Sequence, residues 1–266
     1  LGHQGFMWAG FGGGVNVREL IHPPGDWLED PSLRRVAGVA VAAVLGLALY
    51  GYTVGSWRSP LMGGYVAVKM PLLVALTLGC NGLLNGLLAI LLGTGLGFRQ
   101  SLLALLSSFA LAALILGSLA PVTWLLAWNA PGPESAYAGT AHAAYLVAHT
   151  VLIGAAGVAA NLHLHRQLTS KAPTRAAALT TLFAWLGGNA FLGAQFSWLL
   201  RPFFGSPGLK VAFLRPDATQ GNFYQTVWNA LGDITQGFAA AAVGLLAVLV
   251  ALSLIHAVKT NKRTTQ

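Results

Sequence analysis

Few side chains in this chain can do chemistry, and most of them stand inside apolar runs. His142 and His149, in AHAAYLVAHT, are seven residues apart, a spacing that returns to the same face of a helix. Imidazole can ligate haem iron, and by the same chemistry the magnesium of a chlorophyll. Small Ala and Gly residues between and after the two histidines leave room for a flat ligand. At 1.5 Å per residue the two rings lie about 10 Å apart along one helix, too far to share a metal. Each is therefore a candidate single ligand for a tetrapyrrole. The plainer expectation is that both are hydrogen-bonded inside a bundle or near its surface, with His163 and His165 facing headgroups or water.

Asp233, in QTVWNALGDITQG, is the one acid that enters an apolar run. A carboxylate at bilayer depth is costly and must be paired, protonated or wet. Arg201 is its expected partner, with Arg215 as the alternative. The expected result is an ion pair locking two helices, supported by Gln195, Asn229 and Gln236; a proton or ion relay is the competing reading. Asn81 and Asn85 stand one helical turn apart and share a face. Amides of this kind hydrogen-bond across helices for about 1 kcal/mol or less each, and a polar substrate path is the alternative. There is no HExxH, G-x-S-x-G or P-loop pattern and no acidic pair at one depth, so no catalytic residue and no metal site is expected. The lone cysteine, Cys80, excludes a disulfide framework and is expected to pack as a small hydrophobe.

The elements that must position these residues are apolar. The 266 residues are 55% hydrophobic and only 8% charged, with mean hydropathy +0.65. A soluble domain carries about 25% charged residues, so the composition points to the bilayer as a partner. Six runs follow an N-terminal arm (1–35): 36–54, 66–92, 101–128, 138–162, 176–200 and 227–258. Each is near the roughly 20 residues that span a hydrocarbon core. Pro121 is expected to kink or end the third run, Lys69 to snorkel from the start of the second, and HLHRQLTSKAPTR to form a basic loop. The arm, with Phe6, Met7, Trp8 and Phe11, is read as a cytoplasmic or interfacial segment. Its first 30 residues lack a basic region ahead of an apolar core, so no signal peptide is expected.

The fold class is thus all-α: a polytopic transmembrane bundle of about six spans (36–258) with a basic tail (259–266). With the N-terminus inside, the inner segments hold ten Lys and Arg and the outer ones five. That asymmetry predicts both termini cytoplasmic. Basic residues cluster at the ends of apolar runs, as anionic headgroups favour, and no nucleic-acid motif accompanies them. Small residues at Gly79, Gly82, Gly86, Gly154 and Gly157 predict close helix packing.

Between the fifth and sixth runs lies QFSWLLRPFFGSPGLKVAFLRPDATQGNFY. Aromatic Trp198 and Phe203–Phe204 suit a membrane interface, and Pro202 with Gly205–Ser206–Pro207 forces a turn. The segment 201–224 is therefore expected to form an outer cap, with Arg201, Asp233, Trp198, Gln195 and Asn222 as its structural set.

The chain resembles an uncharacterised family of bacterial six-helix membrane proteins, distantly Yip1-like. The residues that carry the resemblance are Lys69-Met70-Pro71-Leu72-Leu73, Asn85, Gly97-Phe98-Arg99-Gln100-Ser101-Leu102, Leu119-Ala120-Pro121-Val122, Gln195–Phe203, Gly205-Ser206-Pro207 and Gly221-Asn222-Phe223-Tyr224. It covers about residues 36–255 and implies a multipass bundle in the bacterial inner membrane, acting in membrane organisation rather than catalysis. Three functions follow as expectations. The first is a non-enzymatic accessory or scaffold subunit of a larger inner-membrane complex, with other membrane subunits as partners. The second is a haem- or chlorophyll-binding subunit of an electron-transfer or photosynthetic complex. The third is a small transporter or channel.

Overall fold

A computed structural model describes residues 17–21, 27–29, 32–225 and 250. Among them the chain is all-helical and without strands. A short α1 (Val17–Ile21) precedes α2 (Leu33–Ser56), α3 (Pro60–Leu91), α4 (Phe98–Ser118), α5 (Ala120–Asn129), α6 (Ala138–Lys171) and α7 (Arg175–Leu199). Five of these helices, α2, α3, α4, α6 and α7, are long and apolar enough to cross a membrane. The sixth apolar run, 227–258, and the basic tail lie outside the described residues.

Local signals set the boundaries. The side chains of Ser32, Ser59 and Thr174 accept the amides of Arg35, Met62 and Ala177, which satisfies otherwise orphaned donors at the starts of α2, α3 and α7. Pro60 then occupies the first turn of α3, where its missing N–H costs nothing. So α3 begins six residues before the expected start, and Pro71 lies inside the helix rather than near its beginning. Gly63 and Gly64 lie inside α3. The third run breaks where Pro121 predicts: α4 ends at Ser118, and Pro121 sits in the first turn of α5. The basic stretch HLHRQLTSK is not a loop. It continues α6 to 34 residues, and the chain leaves the helix only at Ala172–Pro173.

The helices pack in antiparallel succession. One end of the bundle carries the α2–α3 turn, α5 and the start of α6; the segment after α7 folds onto this end, called here the cap end. The closest backbone contacts belong to glycines of α2. A Cβ on Gly46 would lie 2.4 Å from the Ala113 carbonyl oxygen of α4, one on Gly51 2.6 Å from that of Val66, and one on Gly55 2.5 Å from that of Met62. Gly86 is also tight, against Phe98, but Gly79 and Gly157 meet nothing within 4 Å. Val39, Ala43, Leu47, Tyr50 and Val54 line the buried face of α2, and α4 is the most enclosed span. Beyond the spans, Leu20, Trp27 and Leu28 of the arm are part of the core, and Arg35 donates to the Trp27 carbonyl at 3.0 Å. Phe6, Met7, Trp8 and Phe11 lie outside the described residues.

Candidate functional site

Among the described residues, the polar side chains of the spans gather mainly in three places. The richest is the cap end, where α2, α3, α5, α6 and the segment after α7 meet. Tyr50 of α2 and His149 of α6 are both fully buried, with the Tyr50 hydroxyl 2.7 Å from His149 Nδ1. Tyr145, one turn before His149, donates its hydroxyl to the Thr53 carbonyl at 2.8 Å, and Thr53 Oγ1 meets Thr123 Oγ1 of α5 at 2.7 Å. Rings close this cluster: Tyr145 stands edge-on to His149 at 4.3 Å, and Phe204 of the cap contacts both. His142 stacks on Trp57 at 5.5 Å. The two histidines therefore share a face of α6, as the spacing predicts. His149 is enclosed by the rings of Tyr50, Tyr145 and Phe204. His149 Nε2 and His142 Nδ1 are buried without a hydrogen-bond partner.

Lys69 does not snorkel. It is fully buried, its Nζ donates to the Pro202 carbonyl at 2.7 Å, and the rings of Phe213 and Phe203 lie 5.0 Å and 5.8 Å away. The physical reason is the cap, which descends along α3 and supplies a carbonyl and two aromatic faces where solvent was expected. Gly205, at φ +73°, lets the chain turn there; a Cβ would press to 2.9 Å from Arg58 Cγ. Arg58 in turn reaches the carbonyls of Pro207 and Leu209.

Arg201 ties the cap together. It pairs with Asp217 at 3.1 Å, donates to the carbonyls of Trp198, Asp217 and Ala218, and lies 3.6 Å over the Trp198 ring. Its expected partner Asp233 lies outside the described residues. Gln195 Oε1 accepts the Phe223 amide at 3.2 Å, Asn222 Oδ1 accepts the Gln225 amide at 2.8 Å, and Trp198 Nε1 donates to the Gln220 carbonyl. Of the expected cap set, Trp198, Arg201, Gln195 and Asn222 are brought into one structure.

The second polar place is in the last third of α3. Asn81 and Asn85 are buried and both donate to Asn189 Oδ1 of α7, at 2.9 Å and 3.3 Å. Trp185 donates to the Asn85 carbonyl at 2.8 Å. This is the expected interhelical bonding, with Asn189 as the partner. The third place is toward the opposite end. There Gln167 joins His163 at 2.8 Å and Ser107 of α4, so His163 is buried rather than at a headgroup surface. Cys80 is exposed on the bundle perimeter rather than packed inside.

Sequence reasoning missed Tyr50, Tyr145, Asn189 and Asp217. The only signal for the tyrosines was a polar-tipped aromatic inside an apolar run. Among the described residues no group of three His, Cys, Asp or Glu is placed to hold a metal ion. No family model, no curated protein and no solved structure matches this chain.

Proposed function

We propose that this chain is a multipass protein of the bacterial inner membrane, with both termini cytoplasmic, and that it serves as a non-enzymatic accessory or scaffold subunit of a larger assembly. One observation supports this reading above the others. Among the described residues, polar side chains of the apolar helices reach partners in other elements: Tyr50 meets His149, Asn81 and Asn85 meet Asn189, Lys69 meets Pro202 and Gln167 meets Ser107. They hold helices and cap together in separate places rather than converging on one reacting centre. Hydrogen bonds of this kind fasten helices to one another inside a membrane.

The face left for a partner is apolar. On α6, Val147 and Val151 are 65% and 64% exposed, one turn apart. A photo-crosslinking amino acid at either position, activated in the native membrane, is expected to join the chain to a second membrane protein. Adducts with lipid alone from both positions count against an accessory role.

A further inference from the structure

We infer that Lys69 is the recognition point of a site for an anionic amphiphile, a lipid or fatty chain whose phosphate or carboxylate takes the place held here by the Pro202 carbonyl. Lys69 stands nine residues into α3, about 14 Å along the helix from its start. Its residue exposure is 0%. An ammonium has three N–H donors and no acceptor. One donates to Pro202, and the two rings near it, Phe203 and Phe213, also come from the cap. The ion pairs among the described residues are Arg58–Glu134, Lys171–Glu29 and Arg201–Asp217, and Lys69 is in none of them.

A cation within a span is costly without a counter-charge, and such residues mark ligand or ion sites by default. A neutral carbonyl is a weaker acceptor for it than an anionic oxygen, whose charge-assisted bond is roughly twice as strong. The surroundings favour a ligand that brings a chain. Phe213 packs edge-on against Tyr65 at 5.4 Å, giving aromatic walls. About a quarter turn round α3 from Lys69, Leu61 and Val68 are 56% and 57% exposed, so the adjoining face of the helix offers apolar surface for an acyl chain.

The test uses the full chain in a neutral maltoside detergent and reads the thermal midpoint. Wild type, Lys69→Arg and Lys69→Met are each measured with phosphatidylglycerol, palmitate, phosphatidylcholine or inorganic phosphate. Phosphatidylglycerol or palmitate is expected to raise the midpoint of wild type and Lys69→Arg by several degrees and to leave Lys69→Met unmoved. Phosphatidylcholine is expected to have no effect. A shift from inorganic phosphate equal to that from the lipids would assign the site to a free anion and overturn the amphiphile. An equal shift in Lys69→Met, or none in wild type, overturns the site altogether. Should Lys69→Met fail to fold, the site of lipid labelling decides. A photoactivatable phosphatidylglycerol should label peptides from 60–72 or 202–213, with competition by phosphatidylglycerol but not phosphatidylcholine; labelling only elsewhere contradicts the proposal.

Discussion

Tyr50 and His149 show how much one hydrogen bond inside this bundle carries. Both are fully buried, so removing the phenol oxygen leaves His149 Nδ1 without a partner in a place water does not reach. Leaving a buried polar atom unsatisfied costs about 1–3 kcal/mol. Tyr50→Phe is therefore expected to lower the thermal midpoint in detergent by several degrees, and an unchanged midpoint would show that the bond contributes nothing. Arg201 presents the same question for the cap. Its guanidinium serves three carbonyls, a carboxylate and the face of Trp198 at once. Arg201→Ala is expected to cost about 1–3 kcal/mol through those unpaired acceptors. Arg201→Lys should recover little of it, because an ammonium cannot reproduce the planar fork. Equal stability of Arg201→Ala and wild type would remove the cap lock from the account.

At the scale of elements, glycines separate contacts that matter from composition that does not. Gly55 brings α2 against the backbone of α3, and its missing Cβ would stand 2.5 Å from a carbonyl oxygen that cannot turn aside. Gly79 has open space around it. Gly55→Ala is expected to destabilise the bundle by ~2 kcal/mol or more, in the range of overpacked cores. Gly79→Ala should be neutral or stabilising by up to about 1 kcal/mol, from helix propensity alone. Parallel thermal melts of the two variants check this, and equal effects would contradict the packing described. Much of the element order was legible beforehand, because long apolar runs, Pro121 and the break after Leu199 are local signals. The start of α3 was not, since Ser59 and Pro60 form a helix start hidden ahead of a Gly–Gly pair. The extension of α6 was not either: charge in HLHRQLTSK suggested a loop, yet Leu164, Gln167 and Leu168 bury a face of that stretch. Pairings between distant elements were the least visible. Asn81 and Asn85 announced a polar face, but their partner 104 residues or more away carried no mark in its own neighbourhood.

Across the whole molecule, an apolar bundle and a cap that packs on α3 and α6 are fastened to each other by polar residues. The topology proposed for it has a direct check. Alkaline phosphatase fused within the loop at Gly132 is expected to be active and a fusion after Gln266 inactive; the reverse pattern would invert the orientation. In the proposed function these polar groups serve structure within a larger assembly. Solubilising the native membrane in digitonin and recording the particle's mass together with its visible spectrum tests that claim most directly. The account predicts a particle heavier than the 27.7 kDa chain, containing a second membrane subunit, with no tetrapyrrole band that is lost on replacing His142 or His149. A monodisperse single chain, or a Soret or chlorophyll band that disappears with either histidine, would contradict it.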